Sequence, residues 1–319
     1  MCNKFIQIEM EKYDKIYVLA PYNHATGGIE LAHQLVDYLR RKNKKAFICY
    51  VGKQNILVVD ANVTEAYRQY DIAVCSEIED KSENIVILPE IYFNWILKFK
   101  NIQFGCWWMS VDNYYKNCCI KEAIYFNHSP VNILRQIKRL ILAHDKMASI
   151  SLLRKNKTRI THLYQSHYAQ FHLYSLGFSK ILPLSDYINT NFHTYDANVV
   201  KQNVVLYNPA KGYAFTQKII KRMPEVQFIP LKGLSREQLN GLFDKAKLYI
   251  DFGNFPGKDR LPREAALHHC CIISGKKGAA YFYEDLPILE SYKFGANSLT
   301  AIVNSIKYVF GNYEKGLSD

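Results

Sequence analysis

The sequence predicts an α/β fold in two domains. Strand-like apolar runs alternate with helical segments along the chain, the pattern of a mainly parallel sheet covered on both faces. A strand, a glycine turn and a helix start occur in that order in KIYVLA-PYNHATGG, and again in NVVLY-NPAKG. The 319 residues suffice for two domains of ordinary size, each with its own core.

Taken in order, the first strand is Lys15 to Ala20, and Gly27-Gly28 opens a helix to Arg41. Its apolar face is Ile29, Ala32, Leu35, Val36 and Leu39, a period near 3.6. The paired glycines let a ligand approach backbone at a helix N-terminus; a plain structural turn accounts for them equally well, since the spacing is not G-x-G-x-x-G. Strands are expected at Lys45–Val51, Ile72–Cys75 and Asn84–Leu88, with helical segments at Val63–Tyr70 and Glu90–Lys100. Ile102 to Met109 reads as an aromatic-rich strand ending in the loop Ser110–Tyr115. There Asp112, Asn113 and Tyr114 would bind an acceptor, or Asp112 or Asn113 would close an Asx-turn on its own backbone. His128 stands in a loop, YFNHSP, where a neutral imidazole could take a hydroxyl proton; a solvated loop histidine is the plainer alternative.

Val131 to Arg159 is the most basic stretch, with apolar residues at helical spacing. Such a helix either lies on an anionic membrane or buries one face and solvates the other. Gln165–Ala169 opens a helix ending at Gly177, and Ile181–Tyr187 carries Asp186 to the expected boundary between domains 1–188 and 189–319.

The second domain opens with a strand, Asn203–Tyr207, a turn holding Lys211 and Gly212, and a helix through Arg222. Val226–Pro230 is a strand, and Ser235 with Gln238 forms a capping box for a helix reaching Ala246. Leu248–Ile250 then leads into DFGNFPGKDRLPREAALHHCCIISGKKG. Gly253, Pro256 and Gly257 exclude regular structure across the loop, and Pro262 suits a first helical turn. Glu264, one turn in, places a carboxylate beside free backbone N–H groups, with Lys258 and Arg260 at the same mouth. Cations and helix amides suit phosphate, and a carboxylate suits a ribose diol. Cys271–Ser274 is a strand, and a last helix begins at Asn297-Ser298.

The segment Leu261-Pro-Arg-Glu-Ala-Ala266 resembles the second half of the donor-binding signature of GT-B glycosyltransferases, especially the retaining family four. Glu264 then takes the place of that family's second glutamate, whereas Pro256 stands where the first would fall. Gly27-Gly28 resembles the double-glycine loop of such enzymes, and Lys211 stands where they place a cation on the donor pyrophosphate. The W-W-x-S-V-D-N-Y stretch is similar to bacterial polysaccharide glycosyltransferases. The resemblance implies two Rossmann-like domains facing a central cleft. It also implies transfer of a sugar from a nucleotide-sugar donor to a saccharide or lipid-linked acceptor in cell-surface polysaccharide synthesis, with retained configuration. No cofactor and no metal are expected. Gly27, Gly28, Asp186, Lys211, Lys258, Arg260 and Glu264 would bind the donor, and Glu264, Asp112 and His128 would be catalytic.

Composition agrees with an anionic ligand. Lys and Arg number 41 against 29 Asp and Glu, a net charge of +12 that suits nucleotide phosphates or an anionic membrane face. No recognition pattern for nucleic acid is present, so none is expected as partner. No apolar run reaches the roughly 18 to 20 residues of a membrane span, and the first residues lack a signal-peptide core. A cytoplasmic protein, either soluble or peripheral at the inner membrane face, is expected. The eight cysteines form no C-x-x-C, which favours reduced thiols over a metal or disulfide framework. Two other functions fit the sequence: a sugar-nucleotide epimerase or hydrolase of the same fold, and a non-catalytic basic protein that binds membrane or nucleic acid.

Overall fold

The computed structural model describes residues 10–117, 130–131, 133–134, 137–138, 148–189 and 195–319. The chain divides into two compact units, Met1–Asp186 and Tyr187–Asp319.

The first unit is built on strands β1 (Lys15–Pro21), β2 (Lys45–Val51), β3 (Ile85–Pro89), β4 (Gln103–Trp108), β5 (Ile160–Tyr164) and β6 (Ile181–Pro183). They pair in the order β2-β1-β3-β4-β5-β6, parallel throughout. Strands β1 to β5 bury both faces, which is why these segments read as apolar runs, whereas β6 at the end of the sheet is half-buried. Alternate residues feed two cores: Tyr17, Val86, Phe104 and Trp108 on one side of the sheet, Ile16, Val18, Ile87 and Trp107 on the other. The second core is closed by helix α1 (Gly27–Arg41), which lays Ile29, Ala32, Leu35, Val36 and Leu39 against it. His33 is buried within this helix, its Nδ1 2.7 Å from Ile29 O and its Nε2 2.8 Å from Tyr50 Oη. Burial pushes its pKa down to about 4, so the imidazole is a neutral core group.

Four expected elements differ. Ile72–Cys75 is not a strand; it meets the outer edge of β2 through the single bridge Ile48–Val74 and then turns to bring Glu79 to Lys15. Of Val63–Tyr70 only Glu65–Tyr67 coils, as a 3-10 turn, because the Tyr67 hydroxyl is held to the Thr26 backbone. Glu90–Lys98 is likewise 3-10 rather than α-helical. Ser110–Tyr115 is not a loop: helix α2 (Val111–Asn117) begins there. Ser110 Oγ accepts from Asn113 N at 3.1 Å, so a serine cap starts a helix where the side chains alone suggested a turn. Helices α3 (Ile150–Lys155) and α4 (His167–Ser175) are capped by Ser149 and Ser166. His128 and most of the basic stretch before α3 lie outside the described residues.

The second unit is a sheet of β7 (Gln202–Tyr207), β8 (Gln227–Pro230), β9 (Ala246–Asp251), β10 (Cys271–Gly275) and β11 (Lys293–Phe294), parallel in the order β11-β10-β9-β7-β8. Helices α5 (Tyr213–Arg222), α6 (Arg236–Lys245), α7 (Arg260–Leu267), α8 (Leu299–Gly311) and α9 (Tyr313–Ser318) accompany it. The capping box of Ser235 and Gln238 is formed in both directions at the start of α6. Among the described residues no helix is long and apolar enough to cross a membrane.

At the N-terminal edge of this sheet the Lys201 ammonium donates to the carbonyls of Phe243, Ala246 and His268, closing the ends of α6, β9 and α7 around one point. Lys201→Met keeps the stem and removes every donor. An unsatisfied buried polar group costs about 1 to 3 kcal/mol, so this variant is expected to lose roughly 2 to 4 kcal/mol in urea unfolding. An unchanged midpoint would mean that water already reaches these carbonyls.

Candidate functional site

Ligands of open parallel sheets bind outside the carboxyl ends of the strands, where successive connections leave in opposite directions. In the second unit that point falls at β7 and β9, because the chain passes from β7 to β8 on one side and returns to β9 on the other. The loops after β7, β9 and β10 meet there. Their approach depends on glycine: a Cβ on Gly212 would stand 2.5 Å from Gly253 N, and one on Gly278 would stand 2.1 Å from Phe255 O. Both glycines also hold positive φ, 67° and 54°, which side chains disfavour.

Lys211 reaches across this junction from the β7 loop. Its Nζ lies 3.0 Å from Asp251 Oδ2, pairs with Asp259 Oδ2, donates to Asn254 O at 3.1 Å and sits 3.9 Å from the centre of the Phe255 ring. Asp251, at the end of β9, is fixed by Gly253 N at 2.9 Å on one oxygen and Tyr249 Oη at 3.0 Å on the other. Burial, followed by the adjacent Asp251 carboxylate, pushes the Tyr249 hydroxyl well above its ordinary range. For Asp259 burial raises the carboxyl and Lys211 opposes it, with burial prevailing.

Asp259 occupies the N-cap of α7 but makes no capping bond, its carboxylate being turned to Lys211. The first turn of α7 therefore keeps backbone N–H groups without a side-chain cap at the carboxyl edge of the sheet, a position favourable to anions. Pro262 lies in that turn, as the sequence suggests. Glu264 is buried and receives two guanidinium groups, Arg260 at 3.1 Å from the same helix and Arg236 at 3.3 Å from α6. Arg263 binds backbone carbonyls of Asp259 and Lys258, stiffening the loop. The Lys258 side chain is half-buried at the same loop and makes no ion pair among the described residues. Lys211, Lys258, Arg260 and Glu264 thus gather around the junction of β9 and α7.

In the first unit the corresponding edge holds Gly27 and Gly28 at the start of α1, where Gly28 is exposed and a Cβ would lie 3.5 Å from Met109 Sδ. Asp112 accepts from Tyr168 Oη at 3.0 Å and so ties α2 to α4. Asn113 supplies the capped N–H of α2, and Tyr114 is buried at 1% exposure with its hydroxyl on Ala148 O. Tyr114 is a core ring rather than an open binding surface. Asp186 is half-buried beyond the end of β6. One group escaped the sequence reading: Glu90, directly after β3, is buried and accepts from Met109 N at 3.3 Å. Burial raises its carboxyl to about 7, against the opposing pull of backbone N–H groups. An acid following the proline at a strand's carboxyl end was the signal available for it.

The sequence matches no protein-family model and no curated protein. Solved structures do resemble it. HepE from Anabaena, in complex with UDP and glucose, is 11% identical over 96% of this chain and 92% of that one, with a TM-score of 0.60. The catalytic domain of starch synthase IV from Arabidopsis thaliana, bound to ADP and acarbose, is 12% identical over 96% and 94%, with a TM-score of 0.56. TarM from S. aureus, as a mutant with fondaparinux, alpha-GlcNAc-glycerol and UDP, is 12% identical over 75% of this chain, with a TM-score of 0.53. The chain spans about half the length of TarM, 51% of it. At such identity the likeness is one of fold: two parallel-sheet α/β domains of the kind found in GT-B glycosyltransferases.

Two predictions follow from this geometry. Glu90 is protonated when folded at pH values where it ionises when unfolded, so its contribution to stability is complete below about pH 4 and is lost as pH rises through about 7. At 1.36 kcal/mol per unit the loss is on the order of 3 kcal/mol. Glu90→Gln should flatten that decline in urea unfolding measured from pH 4 to 8; an unaltered pH profile would show that the carboxyl is solvated. Gly212→Ala should lower the melting temperature and weaken any ligand of this edge together, because the added methyl drives the β7 loop off Gly253. A variant of wild-type stability would mean that the loops separate easily.

Proposed function

We propose that this protein is a glycosyltransferase that takes its sugar from a nucleoside-diphosphate donor held at the β7–β9 edge of the second unit. The observation that carries the proposal is the convergence of Lys211, Lys258, Arg260 and the first turn of α7 on the switch point of a parallel sheet. The fold supports it, since HepE and starch synthase IV were solved with UDP and ADP. The leaving diphosphate is neutralised by these cations and helix amides, which act where charge develops. Glu264, aligned by Arg236 and Arg260, accepts from the donor ribose. Retention of configuration is the outcome its resemblance to family four implies. The acceptor is a saccharide or a lipid-linked saccharide of the cell surface, and the basic stretch before α3 brings the protein to an anionic membrane face.

Calorimetric titration with UDP, ADP and GDP, and with the matching nucleosides, tests the donor site. A charge-assisted phosphate bond contributes about 1.5 to 3 kcal/mol, so Lys258→Ala and Arg260→Ala should each weaken diphosphate binding roughly 10- to 100-fold and nucleoside binding hardly at all. Equal losses for both ligands would remove the two cations from the phosphate. Labelled donor incubated with and without saccharide acceptors then separates transfer from hydrolysis: release of free sugar at one rate in both mixtures would make the protein a hydrolase.

A further inference from the structure

Cys49 and Cys75 form a thiol pair that the proposed transfer reaction does not use. Cys49 lies within β2, and the segment after Tyr70 touches that strand through the parallel bridge Ile48–Val74. Two hydrogen bonds fix the register, Ile48 N to Ala73 O and Cys75 N to Ile48 O, each 2.9 Å. In a parallel bridge the next residues also face each other, so Cys49 and Cys75 stand opposite on the same side of the sheet. Their placement in one core layer, with Ile48 and Val74 in the other, agrees. Neighbouring strands run about 4.8 Å apart, within the range of Cα separations that a disulfide spans. Each thiol is the neighbouring group that most affects the other's ionisation.

The two sulfurs differ in the way an attacking and a resolving thiol must. Cys49 is buried, and burial holds its pKa well above the ordinary range. Cys75 is partly exposed, and its Sγ lies 2.9 Å from Glu77 O. The Cys49 hydrogen bond, more than any other influence, brings its pKa down to about 6 despite partial burial. The groups facing the pair are Tyr17 and Lys15 on β1 together with Glu77 and Glu79; Lys15 is paired to Glu79, and its charge still favours the Cys75 thiolate.

We propose that Cys49 and Cys75 are a site of reversible oxidation, closed to a disulfide by peroxide. The Cys75 thiolate attacks one oxygen of hydrogen peroxide, an S–O bond forms as the O–O bond breaks, and hydroxide leaves and is protonated to water. The Cys49 sulfur then attacks the resulting sulfenic sulfur. An S–S bond forms, the S–O bond breaks, and the hydroxyl departs as a second water with the Cys49 proton. Two thiols lose two electrons to one peroxide, and a thiol reductant reverses the change. The product staples the segment after Tyr70 to the edge strand β2.

The test uses the full chain, reduced and then exposed to one equivalent of hydrogen peroxide, with free thiols blocked before digestion. Mass spectrometry without reductant should find the peptides of Cys49 and Cys75 joined, two hydrogens lighter than their sum, and separated again by dithiothreitol. In Cys49→Ala the join must vanish and Cys75 should stop at sulfenic acid, passing on to sulfinic acid only when a second equivalent of peroxide is added. Iodoacetamide at pH 7 should label Cys75 on the order of tenfold faster in the wild type than in Cys49→Ala, since the thiolate loses its donor. Both residues remaining open to alkylation after peroxide, Cys75 joining a different cysteine, or equal labelling rates in the two proteins would each overturn the proposal.

Discussion

The ammonium of Lys211 between the carboxylates of Asp251 and Asp259 is the contact on which the second unit's loop edge depends. A charge withdrawn from water is tolerated only when paired and hydrogen-bonded, and each member of this group is held from more than one side. Asp251 is anchored by Tyr249 and Gly253, so it presents one oxygen to the lysine from a fixed position. Asp259 arrives from the start of α7, and Lys211 from the turn before α5. A single cation therefore sets the spacing of two helix N-termini at the end of the sheet. The glycines at 212, 253 and 278 are the steric counterpart, since any side chain there would separate loops that the ion pairs draw together.

The two sheets solve one problem with different chemistry. In the first unit the strand end beside α1 carries a carboxylic acid, Glu90, bound by backbone N–H groups and raised by burial so that it holds its proton up to about pH 7. In the second unit the equivalent region is crowded with cations. An edge that holds a protonated acid below about pH 7 can bind hydroxyl groups, whereas one with guanidinium and ammonium groups favours phosphate.

Much of this was legible in the sequence because it is local. The parallel strands read as apolar runs, α1 as a 3.6-residue stripe, and the capping box of Ser235 and Gln238 as two residues three apart. What escaped is tertiary. Cys75 and its neighbours look like a strand, yet strand pairing needs a partner edge, and β2 offers them one bridge. Tyr114 carries a hydroxyl suited to ligands, and only packing shows it spent on Ala148 O. At the site, Lys258 and Arg260 were readable as cations near a helix start, but not the partner that Arg260 shares with Arg236. Lys211 was placed beside the loop from its turn, while its two carboxylates come from residues 40 and 48 positions further on, a distance no spacing rule spans.

The engagement of Lys211 by its own carboxylates also bears on selectivity. A chain with a net charge of +12 is exposed to every polyanion around it, and a bare lysine at the mouth of a cleft would be captured by any of them. Here the lysine is already answered by acids held in place by the strand and the loop. An incoming anion gains only the difference between itself and those acids, so loosely held or badly oriented phosphates gain little. In the proposed reading, a donor must bring several oxygens in fixed relative positions, enough to engage the first turn of α7 and the neighbouring cations at once. In that reading the internal ion pair acts as a competitor built into the protein, separating the general basicity of the surface from the discrimination of the proposed site.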